Sequence, residues 1–300
     1  MSKNSSIKIR RALLSVSDKS GIIDLAKSLQ KENVEIISTG GTLQYLKENN
    51  IDVIDISSFT GSPEMMGGRV KTLHPKVHAG ILSRRIKDKD EIEKNSIEEI
   101  DLVVVNLYPF EKTISDQSSF EDAIENIDIG GPTMTRAAAK NFYHVAVISS
   151  PKDYKDFKEE FEKNQEISYE TRLMLSKKAF SLIANYDLAI SDYFETLGHN
   201  DLPTSIFGKF NKIDELRYGE NPHQKAAFYL DVNKESSGIS STIQLQGKEL
   251  SYNNIADTDA AIECVSNFSE PACVIVKHAN PCGVASSLSL IHISEPTRHT

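Results

Sequence analysis

Residues 102–105 read Leu-Val-Val-Val, an uninterrupted apolar stretch with Asp101 before it and Asn106 after it. A strand that is apolar on both faces must be covered on both faces, as in a parallel sheet flanked by helices. The stretches around it support that reading. "RALLSVS" (11–17), "VEIIS" (34–38), "IDVIDI" (51–56) and "HVAVISS" (144–150) are further strand-like runs. Between them, "DKSGIIDLAKSLQKEN" (18–33) spaces Ile22, Ala26 and Leu29 as one face of a helix. "TGGT" (39–42) opens a helix through Tyr45 and Leu46, and "GGPTMTRAAAKN" (130–141) sets a proline just inside an alanine-rich helix. Strand–helix alternation over the first 150 residues predicts an α/β domain with a mainly parallel sheet.

Residues 168–197 predict two helices or one bent one. "GHNDLPTS" (198–205) gathers Gly, Asn, Asp and Pro and predicts a domain boundary. Beyond it, "LRYGENPHQKAAFY" reads as a polar loop entering a strand, 256–268 as a helix, and "ACVIVKHANPCG" (272–283) as a strand running into a polar turn. The expected domains are therefore 1–199 and 200–287, with 288–300 set apart for the reason given below.

The net charge of -9 argues against a nucleic-acid or membrane-surface partner, since phosphate backbones need a basic face. A small anionic substrate needs only a local basic pocket. No run is long enough to span a membrane, and the N-terminus has neither the apolar core nor the cleavage site of a signal peptide. Three cysteines, Cys264, Cys273 and Cys282, fit a reducing cytoplasm better than a disulfide framework.

Several predicted strands end in turns rich in glycine and small hydroxyl residues: "SVSDKSG", "STGGT" and "DIGGPT". Such turns let backbone N–H groups approach an anion, and a following helix adds positive potential. Any single turn is explained equally well by ordinary helix capping. The stretch "MGGRVKTLHPKVHAGIL" (66–82) allows three readings. His74 and His78 have the spacing of a helical zinc site, but Pro75 disfavours helical backbone at His74, and no carboxylate is placed as in the usual metallohydrolase motif. The others are a solvated basic loop and an anion-binding catalytic loop.

Five segments, in order, resemble one family: "MMGGRVKTLHPKVHAGIL", "NLYPFEKT", "IDIGGPTMTRAAAKN", "LRYGENPHQ" and "KHANPCG". It is the bifunctional purine biosynthesis family that joins IMP cyclohydrolase to AICAR (5-aminoimidazole-4-carboxamide ribonucleotide) formyltransferase. The resemblance spans about residues 10–287. It implies a methylglyoxal-synthase-like, Rossmann-type parallel sheet, followed by an incomplete α/β formyltransferase domain. It places a nucleotide phosphate near Ser15, Ser17, Lys19, Ser38, Thr39, Gly40, Gly41 and Thr42, and Arg69, Lys71, Thr72, Asn106, Tyr108, Asp128, Gly130 and Lys140 in the same active site. The substrate would be the formylated ribonucleotide FAICAR, closed to IMP with loss of water and no cofactor. The chemistry suggests Lys71 and Tyr108 for the formyl oxygen, and Asp128 with Lys140 for the amide and its proton. The loop around His74 and His78 then reads as an active-site loop that the two histidines position.

In the second domain the resemblance implies formyl transfer from 10-formyltetrahydrofolate to AICAR. Arg217, Tyr218 and His223 match nucleotide-binding positions, and Lys277 and His278 match catalytic ones. A homodimer is the implied assembly. Cys282 is read as a buried, inert cysteine in preference to a thiol nucleophile. The family pattern stops after "VKHANPCGVASS", and residues 288–298 look like a translated sequencing adapter. The expectation is a C-terminally truncated chain whose first domain is complete. Its second domain would be marginal, with exposed apolar surface, unpaired strand edges and no transferase activity. The rival reading is a methylglyoxal-synthase-like regulatory domain that binds a nucleotide without turning it over.

Overall fold

In a computed structural model, residues 5–108, 110, 119–197, 205–232 and 237–288 are described. The chain divides into two compact units, Met1–Pro203 and Thr204–Thr300. The predicted boundary segment, apart from Ser205, and the tail beyond Leu288 lie outside the described residues.

The first unit is built on a parallel sheet. Its strands are β2 (Arg11–Val16), β3 (Glu35–Ser38), β4 (Ile54–Asp55), β5 (Leu102–Asn106) and β6 (Ala146–Ile148), in the order β4-β3-β2-β5-β6. A short antiparallel pair, β1 (Ile7–Lys8) with β7 (Glu166–Ile167), stands apart from it. The register pairs Ala12 with Leu102 and Val16 with Asn106 on one side of β2, and Leu14 with Ser38 on the other. The chain winds outward from β2 through β3 to β4, then returns to β5 on the opposite flank. The carboxyl ends of β2 and β5 thus form the switch point where such sheets bind ligands.

Alternation along β2 serves two cores. Ala12, Leu14 and Val16 pack with the Ile22–Lys31 and Tyr154–Asn164 helices, through residues such as Leu25, Leu29, Phe157 and Phe161. Leu13 faces the other layer, with Val77, Ile81, Ala138 and Ala179. Both faces of the sheet are covered, as the apolar stretch in β5 requires.

Three expectations are refined. The predicted strand 51–56 shrinks to Ile54–Asp55, because Asp55 accepts from the Ser57 N–H and caps a short helix, Ile56–Thr60. Residues 168–197 form one helix of 28 residues, Tyr169–Thr196, capped by Ser168. Its buried stripe of Arg172, Leu175, Ser176, Ala179, Ile183 and Tyr186 repeats every three to four residues. Arg172 is fully buried and ties this helix to main-chain carbonyls of Ser5, Phe142 and Ile167. The stretch 66–82 is half loop and half helix. Residues Pro75–Leu82 are helical, with Pro75 in the first turn and His74 as the extended N-cap.

The second unit has two antiparallel hairpins, β8 (Phe210–Leu216) with β9 (Ala226–Asp231), and β10 (Ala272–Lys277) with β11 (Asn280–Ser286). It also has one longer helix, Tyr252–Val265. The expected polar turn after residue 277 is a two-residue hairpin turn, His278 and Ala279 both at φ +55, and the NPCG segment continues as a strand. Among the described residues of this unit only Gly219 and Ser251 are buried.

Candidate functional site

A cavity of about 720 Å³ opens at the switch point. The ends of β2 and β5 supply Ser15, Ser17 and Asn106, the turn after β3 supplies Thr39–Thr42, and two more distant segments supply Arg69, Lys71 and Thr72 and Asp128, Gly130 and Gly131. Fourteen of the sixteen residues predicted for this site line it; Ser38 and Lys140 do not.

One end of the cavity is built for an anion. The Gly40–Glu48 helix points its N-terminus inward, with Gly40 at φ +53. The ammonium of Lys71 lies 3.6 Å from where a Cβ on Gly40 would stand, and that of Lys19 lies 3.9 Å from one on Gly41. Two cations over the positive end of a helix repel each other and the helix, unless an anion joins them. Two carboxylates offset the cations. Glu64 Oε2 sits 2.8 Å from Lys71 Nζ, and Glu125 takes the Arg69 guanidinium in a two-pronged pair, Nε to Oε1 at 3.2 Å. Hydrogen bonding to Arg69 lowers the Glu125 carboxyl pKa, and Glu125 raises that of Arg69.

The loop carrying these cations is tightly wound. Met66, Gly67 and Gly68 all have positive φ, and Met65 bridges to Val70. A Cβ on Gly68, at φ +97, would come within 2.7 Å of both Glu64 Oε1 and Lys71 Cε. A side chain there would drive Lys71 off the helix N-terminus, so this glycine is a requirement of close approach.

Asn106 is the hinge pin of the switch point. Its Oδ1 accepts from the Ser17 and Asp18 N–H groups at 2.7 and 2.8 Å, and its Nδ2 donates to the Asp18 carbonyl at 2.8 Å. The buried Tyr154 hydroxyl lies close to Asn106, and burial raises its pKa.

The opposite wall carries Asp128. Its Oδ1 accepts from the Gly131 N–H at 2.8 Å, and its own N–H donates to the Tyr186 hydroxyl at 2.7 Å. Burial pushes the Asp128 carboxyl up, partly offset by the N–H groups of Gly131 and Gly130. A Cβ on Gly130 would stand 2.7 Å from Thr72 Oγ1, so the cationic loop and this wall touch. Tyr108, 56% exposed, stands at the rim.

Several predicted roles change. Ser38 is buried and donates to the Leu14 carbonyl at 2.7 Å, and Thr42 both donates to and accepts from Val16 at 2.9 Å. Those two hydroxyls fasten β2, and neither is free for a phosphate. Lys140 ends the Gly130–Lys140 helix, roughly 15 Å of helix away from Gly130. It is exposed beside Leu82, Arg84 and Tyr143, so the expected pairing with Asp128 is not made within this chain. His74 Nδ1 accepts from the Lys76 N–H and its Nε2 lies 3.3 Å from Ser62 Oγ, while His78 sits on the Pro75–Leu82 helix with its Nε2 buried. Among the described residues no cluster of His, Cys, Asp or Glu is arranged for a metal.

In the second unit Arg217 stacks on the Tyr218 ring at 4.8 Å and bonds its hydroxyl. Arg217, His223, Lys277 and His278 are all exposed. The cavity of about 490 Å³ found there is lined by Asp257, Ala261, Cys273, Val274 and their neighbours, and by none of the five predicted residues. The expected gathering of nucleotide-binding and catalytic positions is therefore absent among the described residues. Cys282 is exposed where a buried cysteine was expected, because it lies on β11, which pairs only with β10 among the described residues.

Sequence reasoning missed Glu64, Glu125, Tyr154 and Tyr186. The two glutamates had no spacing to mark them, and the tyrosines lie on helices far along the chain.

Comparison with known proteins adds three findings. Residues 138–295 match the family model described as the AICARFT/IMPCHase bienzyme. Residues 21–133 match that of the MGS-like domain. The crystal structure of ForH is 36% identical to this chain, covers 62% of it and 99% of its own length, and superposes with a TM-score of 0.55.

Proposed function

Since this chain belongs to the AICARFT/IMPCHase bienzyme family, a purine biosynthesis family acting on small nucleotides, we propose that the first unit's cavity closes FAICAR to IMP. The observation that carries this reading is the division of one cavity into an anion end and an acid–base wall. The phosphate takes Lys19 and the first-turn N–H groups of the Gly40–Glu48 helix, and Arg69 joins when Glu125 releases it.

The reacting atoms then lie toward Asp128. The carboxamide nitrogen attacks the formyl carbon, one N–H proton passes to the Asp128 carboxylate, and negative charge grows on the formyl oxygen. Burial makes Asp128 a stronger base than an ordinary carboxylate. Lys71 and the Tyr108 hydroxyl are the donors for that oxygen. The oxygen leaves as water, taking that proton and the one shed by the formamido nitrogen as its C=N bond forms, and the ring is closed. Atoms balance without an oxidant, a reductant or a group carrier, so the ring closure requires no cofactor.

For the second unit we propose no competent formyl transfer in this chain. Lys277 and His278 are solvent-facing, and among the described residues no enclosed site surrounds them for AICAR and 10-formyltetrahydrofolate. Free thiols at Cys264, Cys273 and Cys282 support a reducing, cytoplasmic setting, and a homodimer is the assembly proposed from the family. Among the described residues no helix is long and apolar enough to cross a membrane.

The test is to incubate the pure chain with FAICAR and follow IMP by absorbance, with Lys71→Ala beside it. Loss of one preorganised donor should slow turnover ~100- to 1,000-fold. A folded chain that binds IMP and never forms it would leave only the regulatory, nucleotide-binding role.

A further inference from the structure

We propose that Tyr186 is a positioning residue for Asp128, clamping two walls of the cavity from a helix that lies outside every site motif in the sequence. The hydroxyl accepts from the Asp128 N–H at 2.7 Å across 58 residues of chain. The Tyr186 ring packs edge-on against Phe110, with centroids 6.2 Å apart. Phe110 is fully buried, and its N–H bonds the Tyr108 carbonyl at 2.9 Å. One side chain therefore touches the Asp128 wall through its oxygen and Phe110, bonded to the Tyr108 carbonyl, through its ring.

Asp128 is held from both directions. Its carboxylate is fixed by the Gly131 N–H, and a Cβ at Gly131 would overlap Asp128 Oδ2. Its main chain is fixed by Tyr186, which is 8% exposed and the last buried residue of the Tyr169–Thr196 helix. A base that removes a proton from a bound amide must keep its distance and angle, and misplacement by about an ångström costs rate more than binding. The anion end of the cavity makes no bond to Tyr186, so substrate affinity should survive its loss.

The kinetic half of this inference rests on the cyclohydrolase reading; the structural half does not. Tyr186→Phe keeps the ring on Phe110 and deletes only the oxygen, whereas Tyr186→Ala would open a hole and is avoided. For Tyr186→Phe, kcat for FAICAR should fall about tenfold, the scale of a buried N–H left unpaired, with KM nearly unchanged. Amide exchange at Asp128 should quicken by a similar factor while that of Gly131 stays slow. Tyr193→Phe is the control, because Tyr193 also packs on Phe110, at 5.7 Å, and should leave kcat as it is. An unchanged kcat, or kcat and KM shifting together with stability, overturns the positioning role. Wild-type chain that binds IMP without turning over FAICAR defeats the cyclohydrolase reading instead. Exchange at Asp128 then decides for Tyr186 on its own, and an unchanged rate there overturns it.

Discussion

Strands β5 and β10 are near twins in composition, LVVVN and ACVIVK, and they meet opposite fates. In β5, Leu102 to Val105 are at most 1% exposed. In β10, Ile275 is 61% exposed. The difference lies in the neighbours. β5 is paired on both edges, with β2 and β6, and helices cover both faces of their sheet. β10 has one partner, β11, and leaves its other edge and much of its surface to water. Apolar sequence supplies the material for a strand, and stability comes from the layers that bury it.

The largest effect expected from this contrast is in amide exchange. The β5 amides should open only with the whole first unit, and a stability of 5–15 kcal/mol slows exchange by ~10⁴-fold or more. The amides of β10 should exchange within about a hundredfold of an unfolded chain, since no core holds them. Comparable protection in β5 and β10, measured by mass spectrometry, would show that the second unit acquires a core in solution and would break the comparison.

A second effect should be confined to the first unit. Arg172 is fully buried and satisfies carbonyls from three separate segments. Arg172→Met removes those donors and should cost about 3 kcal/mol, as several buried acceptors lose their partners. Urea titration should show that loss, with exchange in the second unit unaltered. A loss below about 1 kcal/mol would mean that water replaces the guanidinium and that the first unit is less tightly closed than its burial implies.

This contrast also explains what could be read in advance. The sheet, its parallel sense and most of the anion end were legible, because strands buried on both faces carry continuous apolar runs and glycine turns mark their ends. The short β4 was not, because capping by Asp55 ends the strand after two residues in a manner that depends on one side chain's orientation. In the site, Lys19 and Lys71 were legible from their motifs. Their counter-charges were not: Glu64 meets Lys71 only because the loop doubles back on Gly68. Tyr186 lies 58 residues from Asp128 with no local pattern joining them. Lys140 stands apart, a motif residue that helix geometry carries to the end of the helix away from Gly130. In the second unit the Tyr252–Val265 helix packs on the second hairpin, yet the five motif residues stay outside the cavity there.

A smaller effect concerns pH. Burial lowers the pKa of both His78 and His144 below the ordinary 6.5. In the unfolded chain each takes up a proton near pH 6.5, while the folded first unit resists until lower pH. Their contribution is thus complete above about pH 6.5 and is lost as pH falls through the folded values. Thermal melts of the first unit should drop across that window, and His78→Gln should soften the drop. A flat profile from pH 7 to 5 would mean the two rings are not desolvated as their burial indicates.

The smallest stability change expected also separates function from structure. The Asp128 carboxyl has its folded pKa raised above the ordinary 3.8, mainly by burial. As pH rises, the unfolded chain loses this proton first, so the folded state holds more protons between the two values. The group's contribution to stability is therefore highest at low pH and declines as pH rises through the folded pKa. At neutral pH the carboxylate is a small burden on the fold. Asp128→Asn removes that burden and keeps an oxygen able to accept from the Gly131 N–H. The variant should melt slightly above the wild type at pH 7, and the gap should close below about pH 3.8, where the wild-type residue is neutral in both states. Turnover should fall ~100- to 1,000-fold at the same time. If Asp128 were merely a helix cap, its charge would favour the helix N-terminus and the variant would lose stability at pH 7. A more stable variant with little turnover is the outcome for a carboxylate that the first unit holds against its own stability. Only a region with a closed core can sustain such a group, and the second unit has none among its described residues.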